Sequence, residues 1–430
     1  MPHSVFILDV GRKYMKEESK NSTVGKILID YLHELDCITD CISPAVSAIY
    51  DKVEENESAY KKFLEEKTET TEDDEDSKTY RFKIEYQREH DDLKKSIKRS
   101  RDALVLIPKS LVISMVASYD AFLGRLVRAL YESKPVLLNG GDRQISFSQI
   151  KKFESIKDAE DFILEKEIDT LLRKSHSDQF KSLEKDFSVK LKANDPIWTR
   201  FIELTERRNL LVHSDGVISS QYLKVCGEHG VSLSKKFEVG HKLSIDPKYF
   251  FVAHRVLYEI GFQLTHTLWR KILPDQIDIA DDYINESGFE LLCEKNYSLS
   301  TMVYEFALKQ QQKHSSEQYR LMFLVNLCIS YINSDQNEEA TKLLDSEDWS
   351  AKSDNFQLAN KVLREEYEAA LTIMAELPEN RLGKSEYRTW PLFSKFRKEQ
   401  QFQDFYKSKF GEDFEIEGDD DDNSELRDPE

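Results

Sequence analysis

The feature that most constrains the fold is the helical spacing of apolar residues in four long stretches of the chain. Apolar side chains recur every three or four residues, as on one face of an α-helix, in residues 24–52, 107–133, 196–216 and 247–273. Glycine and proline number only 14 and 10 in 430 residues, which disfavours a β-sandwich or a glycine-rich nucleotide-binding design. We therefore predict a mainly α-helical protein.

Two of these apolar faces each carry one charged residue. Asp120 lies in the middle of the apolar face of 107–133, and Arg208 lies between Leu204 and Leu211 on the apolar stripe of the third stretch. A charge on a buried face is costly unless it is paired. The simplest resolution is that the carboxylate of Asp120 contacts the guanidinium of Arg208.

The third stretch ends in ERRNLLVHSDG, residues 206–216, which combines residue types suited to cutting RNA. RNA can be cleaved by attack of its own 2′-hydroxyl on the adjacent phosphate, which leaves a 2′,3′-cyclic phosphate. His213 has the intrinsic pKa of a proton shuttle near neutrality, and the planar fork of Arg208 suits a phosphate on which charge accumulates. Asn209 lies one turn before His213, so its amide can bond the imidazole or the RNA.

The string R-N-L-L-V-H-S-D-G, the upstream helix SYDAFLGRLVRAL and the apolar helix downstream resemble the HEPN superfamily, and within it the RiboL-PSP-HEPN-like group, over roughly residues 80–275. The resemblance implies a helical bundle that dimerises and cleaves RNA without a metal. The family's R-N-x3-H motif implies catalytic roles for Arg208, Asn209 and His213. Its acidic residue on an earlier helix implies that Asp120 orients Arg208.

The HEPN family is common in bacterial toxin–antitoxin and anti-phage abortive infection systems. The resemblance therefore implies a regulated, toxic ribonuclease that acts on tRNA, mRNA or rRNA. We predict no cofactor and no metal for this reaction.

The spacing of Arg208 and His213 favours a site built from two copies of the chain. On a straight α-helix, five residues place the two side chains about 140° apart, so one copy cannot easily present both to one phosphate. Two copies packed about a twofold axis pool their residues. We therefore predict a homodimer.

The same residues also fit a simpler interpretation. Arg208 and Asp120 would form only a structural pair, with His213 favoured by the helix dipole at a C-terminus. The chain would then be a non-catalytic scaffold that binds protein partners or RNA. Arg207 is expected to be solvated or to contact RNA rather than to catalyse.

A charged helix is predicted over 78–102, separate from the apolar helix over 107–133, whose first turn would hold Pro108. The second half of the charged helix contains the densest basic cluster of the chain. This cluster fits a solvated helix face or, alternatively, a patch that binds RNA phosphates. Its members are Lys94, Lys95, Lys98, Arg99 and Arg101.

The net charge of −19 is concentrated in two segments. Residues 51–78 hold 12 acidic and 5 basic side chains, and residues 411–430 hold 11 and 1. The remainder is nearly neutral, so an RNA-binding site is compatible with it. Five scattered cysteines indicate a reducing cytoplasm, and no apolar run approaches the ~18 residues that span a bilayer. We predict a cytoplasmic protein without membrane contact.

Three potential metal ligands share one helical face at intervals of four residues: His33, Cys37 and Cys41. A zinc site needs a fourth ligand, and the sequence offers none nearby. We therefore predict that these three side chains belong to a packed core.

Residues 289–408 are again helical in pattern and contain one match to a tetratricopeptide repeat. Leu327, Tyr331, Ala340 and Leu344 match the packing positions of such a repeat, whereas Asp335 stands where glycine is usual. This TPR-like region is a candidate surface for a protein partner or trigger.

Four parts of the chain are therefore expected. In order, they are an N-terminal helical segment over 1–77 with an acidic loop or frayed helix end at 53–78, a HEPN-like domain over 78–275 with a small β-hairpin within 220–247, the TPR-like helical region over 289–408, and a disordered acidic tail over 411–430.

Overall fold

The computed structural model describes residues 19, 21–74, 77–139, 145–191, 196–234, 237–311 and 313–415. Its secondary structure is almost entirely helical, which confirms the predicted mainly α class. The first nine helices are α1 Thr23–Asp40, α2 Ile42–Lys67, α3 Gln87–Ser133, α4 Phe147–Ile150, α5 Ile156–Leu172, α6 His176–Phe187, α7 Pro196–His213, α8 Ser220–Glu228 and α9 Pro247–Ile272.

The remaining helices follow without an intervening strand. They are α10 Ile277–Cys293, α11 Tyr297–Glu305, α12 Glu317–Asn333, α13 Asn337–Asp345, α14 Asp354–Leu363, α15 Tyr367–Glu376, α16 Lys384–Thr389 and α17 Gln400–Phe410.

The chain divides into two compact units. The first unit comprises Met1–Asp30, Phe122–Asn194 and Tyr258–Glu430, and the second unit comprises Tyr31–Ala121 and Asp195–Leu257. This division differs from the boundaries at 78, 275 and 289 expected from the sequence, which stay predictions. All of the residues predicted to catalyse or support catalysis lie in the second unit.

Aromatic side chains from several helices meet in the core of the second unit. The rings of Tyr31 in α1 and Tyr119 in α3 lie 6.3 Å apart, and Tyr119 lies 5.1 Å from Phe201 in α7. The hydroxyl of Tyr31 donates to the carbonyl of Leu257 in α9 at 2.9 Å. Four helices are thus fixed against one another around a core of fully buried side chains.

A single helix, α3, replaces the two helices predicted over 78–102 and 107–133. It runs for 47 residues and contains Pro108 in its interior. A proline there leaves one helical carbonyl without its donor, so sequence alone favoured a break. Helix α2 packs against the first half of α3, with Asn56 donating to Ser100 at 3.2 Å and Glu57 bridging Arg101 at 2.6 Å, and these contacts support the helix on the N-terminal side of the proline.

The prediction of an acidic loop or frayed helix end over 53–78 was wrong. Helix α2 continues to Lys67, and the chain then forms an antiparallel hairpin from β1, Thr68–Asp74, and β2, Ser77–Phe82. Threonine-rich sequence favours extended backbone, and the pairing sets Glu69 opposite Arg81. The prediction relied on the acidic composition of this segment rather than on its threonine content.

The small β-hairpin predicted within 220–247 was also wrong. Residues 220–228 form α8, and the pairing found among the described residues of this segment is an isolated antiparallel bridge that joins Val217 to Lys242. The alternation in this segment instead reflects a small apolar cluster, in which buried Tyr222 and Cys226 pack with Leu243. In contrast, the helix predicted over 247–273 is confirmed by α9.

In three successive helix pairs of the first unit, the two helices are joined by the same kind of turn. Each turn contains a residue with a left-handed backbone: Lys295 (φ 60°), Asp335 (φ 59°) and Glu365 (φ 59°). In each, the next residue donates its amide to the carbonyl five positions earlier, at 2.8–2.9 Å. Glycine is usual at the position of Asp335 in a tetratricopeptide repeat because glycine adopts a positive φ readily. The sequence revealed one such unit, and its assignment as a tetratricopeptide repeat stays a prediction.

One helical segment of the described chain, Ile84–Ser133, is long and apolar enough to cross a membrane by length and composition. Its most apolar 18 residues have a mean hydropathy of 1.4, so the expectation that no segment would reach this level was wrong. A single such helix is weak evidence for a span, because core helices pass the same test. Of that 18-residue window, 28% is buried within the protein, and further along the same helix Phe122, Leu123 and Leu126 are fully buried.

Candidate functional site

Arg208 and Asp120 contact each other, as the sequence predicted. Nη2 of Arg208, in α7, donates to Oδ2 of Asp120, in α3, at 2.7 Å. The two side chains are 21% and 31% exposed, so the pair lies at the edge of the core rather than inside it. Nε of Arg208 is buried, and no acceptor for it lies within the described part of the chain. A buried guanidinium N–H without an acceptor costs free energy.

Asn209 and His213 lie on the last two turns of α7. Asn209 is half-buried, and His213 is exposed as the final residue of the helix. Because they are four residues apart, both side chains lie on one face of the helix. The exposure of this face therefore increases towards the end of the helix, from half-buried Asn209 to exposed His213.

An ion triad holds the chain immediately after His213. One carboxylate oxygen of Asp215 accepts from Nζ of Lys109 at 2.7 Å, and the other accepts from Nζ of Lys242 at 2.5 Å. These two hydrogen bonds lower the pKa of Asp215 to about 2. The triad ties the end of α7 to α3 and to the bridge segment, and thereby restrains the backbone that carries His213.

Gly216 makes this tight ending possible. Its φ is +82°, and a Cβ added there would lie 2.8 Å from the carbonyl oxygen of Leu243. Its amide donates back to the carbonyl of Leu210 at 3.0 Å. The predicted helix stop is therefore confirmed, with the last helical residue at His213. The start of the third apolar stretch at residue 196 is confirmed too, because α7 begins at Pro196.

Arg207 is not a solvated neighbour of the site, as was predicted, but a buried residue. Nε of Arg207 donates to Glu203 at 2.7 Å, and the guanidinium carbon lies 3.8 Å from the centre of the Tyr249 ring. The hydroxyls of Tyr222 and Tyr249 also donate to Glu203, at 2.7 and 2.8 Å. In the sequence, the four-residue spacing of Glu203 and Arg207 is the signal that could have indicated this pair. Tyr222 and Tyr249 come from distant segments, and local sequence patterns do not predict their approach to Glu203.

The basic cluster lies far from the Arg208–Asp120 pair. Its five members are in the first half of α3, between 19 and 26 residues before Asp120, which corresponds to roughly 28–39 Å along the helix. All five are exposed, and Arg101 is engaged with Glu57 at 2.6 Å. The structure therefore does not bring Lys94, Lys95, Lys98 or Arg99 to the residues predicted to catalyse.

The relative directions of Arg208 and His213 follow from the unbroken helix. Helix α7 extends through His213, so the helical angle of about 140° between the two side chains applies. Arg208 faces α3, whereas His213 faces solvent. One copy of the chain therefore does not present both side chains in the same direction.

His33, Cys37 and Cys41 do not belong to a packed core, so that prediction was wrong. All three side chains are exposed, and the sulfur of Cys37 lies 3.5 Å from Nε2 of His33. Helix α1, which carries His33 and Cys37, packs through its other face, where Tyr31 and Leu35 are buried. Across the described ranges, no group of three or more histidine, cysteine or acidic side chains is arranged to hold a metal ion.

Comparison with known proteins adds no assignment. No family model, no curated protein and no solved structure matches this chain.

Proposed function

We propose that the chain is a metal-independent endoribonuclease of the HEPN type that acts as a homodimer. The observation that carries the proposal is the contact between Arg208 and Asp120, with Asn209 and exposed His213 on the following turns. The carboxylate orients the guanidinium towards the scissile phosphate, where it offsets the charge that develops in the transition state. His213 removes the proton of the 2′-hydroxyl and returns one to the leaving oxygen, giving a 2′,3′-cyclic phosphate.

The composite site follows from the geometry of α7. Arg208 of one copy and His213 of the other would flank the same phosphate, because one copy presents them about 140° apart. We further propose a cytoplasmic effector of bacterial toxin–antitoxin or anti-phage defence, acting on tRNA, mRNA or rRNA. The helix pairs within 277–376 would bind the protein that triggers or restrains it.

A non-catalytic scaffold is the second candidate. The observation that favours it is that one copy does not present Arg208 and His213 in the same direction, so a single chain does not hold a complete catalytic site. The scaffold hypothesis predicts that replacing His213 has no effect on any RNA.

Expression in bacteria tests the proposal in cells. The wild-type protein is expected to arrest growth and to leave RNA fragments with cyclic phosphate ends, whereas His213→Ala is expected to do neither at equal abundance. His33→Ala is the matched control, because His33 is also an exposed histidine of the second unit. Equal toxicity of wild type and His213→Ala contradicts the assignment of His213.

A further inference from the structure

A second candidate site lies on another face of α7, in the second unit. A cavity of about 350 Å³ is enclosed by α7, α9 and the segment that follows α8. This volume falls within the range of small-molecule sites, roughly 300–1,000 Å³. Neither Arg208 nor His213 lines the cavity, so it is separate from the proposed ribonuclease site.

The walls of the cavity are mainly apolar. Aliphatic and aromatic side chains face it from three segments of the chain, and the exposed residues Arg200, Gly230 and Ser232 mark its open side. The apolar walls are formed by Leu204, Val231, Leu233, Phe237, Val252 and Val256. An apolar body of a ligand would be desolvated there.

One cation in the cavity is rigidly held. Arg207 is 9% exposed and is fixed by the hydrogen bond to Glu203 and by the ring of Tyr249. Nη1 of Arg207 lies 3.4 Å from the carbonyl of Ser244. Among the described residues Arg207 donates only from Nε and Nη1, which leaves the second amino group, Nη2, for an acceptor.

The described side chains that line the cavity carry a net of one positive charge. Among them, Arg200 and Arg207 are cations and Glu203 is an anion. Glu203 is already satisfied, because it accepts from Arg207, Tyr222 and Tyr249. A ligand with one negative charge therefore complements the described side chains of the lining.

We propose that this cavity binds a small organic monocarboxylate with an apolar body. The carboxylate accepts from Arg207 and Arg200, whose guanidinium forks match its two oxygens. The apolar body lies against the aliphatic walls. Arg207 and Arg208 are consecutive, so the ligand contacts the helix that carries the proposed ribonuclease residues.

Calorimetric titration of the full chain with straight-chain carboxylates tests the proposal. Acetate, butanoate, hexanoate and octanoate are compared with hexanol, hexylamine and hexyl phosphate. We expect saturable binding that strengthens about four-fold for each added CH₂ until the cavity is full. Hexanoate is expected to bind more tightly than each of the three other hexyl compounds.

Two variants locate the binding. Arg200→Gln is expected to weaken hexanoate binding about ten-fold and to leave hexanol unaffected. Ser232→Trp, on the exposed rim, is expected to abolish binding of both by closing the open side. Lys224→Gln, an exposed cation on α8 outside the cavity, is the matched control and is expected to bind as wild type does.

Three results would overturn the proposal. They are the absence of saturable binding of octanoate to the wild-type chain, unchanged binding in Ser232→Trp, and tighter binding of hexylamine or hexyl phosphate than of hexanoate. Circular dichroism of each variant confirms that the fold is intact. RNA cleavage by the same variants is measured separately, so failure of this proposal leaves the ribonuclease proposal standing or falling by its own assay.

Discussion

The guanidinium of Arg208 donates to the carboxylate of Asp120 at 2.7 Å, across 88 positions of sequence. The pair joins α7 to α3 beside the turn that presents His213. Its neighbour Arg207 is turned towards Glu203 and is more deeply buried, at 9% exposed against 21%. Two consecutive arginines of one helix therefore have different environments, and we expect different consequences from removing them.

Arg207→Ala is expected to destabilise the protein more than Arg208→Ala does. Removing Arg207 leaves Glu203 buried without its cation, a loss of about 3–5 kcal/mol. Removing Arg208 leaves Asp120 partly exposed to water, which limits the loss to about 1–2 kcal/mol. Urea unfolding followed by circular dichroism measures both. Equal unfolding midpoints for the two variants would show that the environments are not as different as their contacts indicate.

Asp215→Asn tests the triad with Lys109 and Lys242. The pKa of Asp215 in the folded chain is about 2, below its ordinary value of 3.8, so its charge stabilises the fold above pH 4 and this contribution disappears as the pH falls towards 2. Asparagine tolerates the left-handed backbone of Asp215 (φ 49°), so the variant removes the charge and one of the two oxygens that accept from lysine without straining the turn.

We expect wild type to be more stable than Asp215→Asn at pH 7 and the difference to vanish near pH 2. Because Asp215 and Lys242 are exposed, the difference at pH 7 should also shrink in high salt. Thermal unfolding at several pH values measures it. A difference that is the same at pH 7 and pH 2 would contradict the assignment of the shifted carboxyl to Asp215.

Gly216→Ala is expected to destabilise the end of α7. An L-residue at a φ of +82° costs about 1–2 kcal/mol, and the added Cβ would also approach the carbonyl of Leu243 at 2.8 Å. Gly227→Ala is the matched control, because that glycine is helical and its Cβ would meet nothing within 4 Å. Alanine at 227 is expected to be neutral or slightly stabilising. Equal unfolding midpoints for the two variants would contradict the local geometry.

Mixing two inactive variants tests the composite site. Arg208→Gln and His213→Ala are each expected to cleave RNA at least 100-fold more slowly than wild type. In a mixed dimer, one of the two sites would combine an intact arginine with an intact histidine. An equimolar mixture that exchanges subunits should therefore recover about a quarter of wild-type activity. No recovery from a mixture shown to contain mixed dimers would place both residues in one copy.

Helix positions and the pairing of Asp120 with Arg208 could be predicted because both depend on local periodicity. An apolar stripe identifies the buried face, and a charge on that face requires a partner. Helix α9 was predicted within one residue at its end for the same reason. The continuity of α3 through Pro108 could not be predicted locally, since it depends on the packing of α2 alongside.

The surroundings of Arg207 illustrate what the sequence leaves open. Its partner Glu203 lies one turn earlier, but Tyr222 and Tyr249 come from 15 and 42 positions later in the chain. Their approach depends on how the segment after Gly216 folds back, and that segment was predicted as a hairpin. The triad around Asp215 was not predicted either, because Lys109 lies 106 positions away.

Cleavage of total RNA by the purified protein in EDTA tests the central claim most directly. Wild type and His213→Ala are compared, with His33→Ala as the control, and the ends of the products are mapped. The account predicts discrete fragments with 2′,3′-cyclic phosphate ends from wild type and His33→Ala, and none from His213→Ala. Equal cleavage by wild type and His213→Ala, or products with 3′-hydroxyl ends, would contradict it.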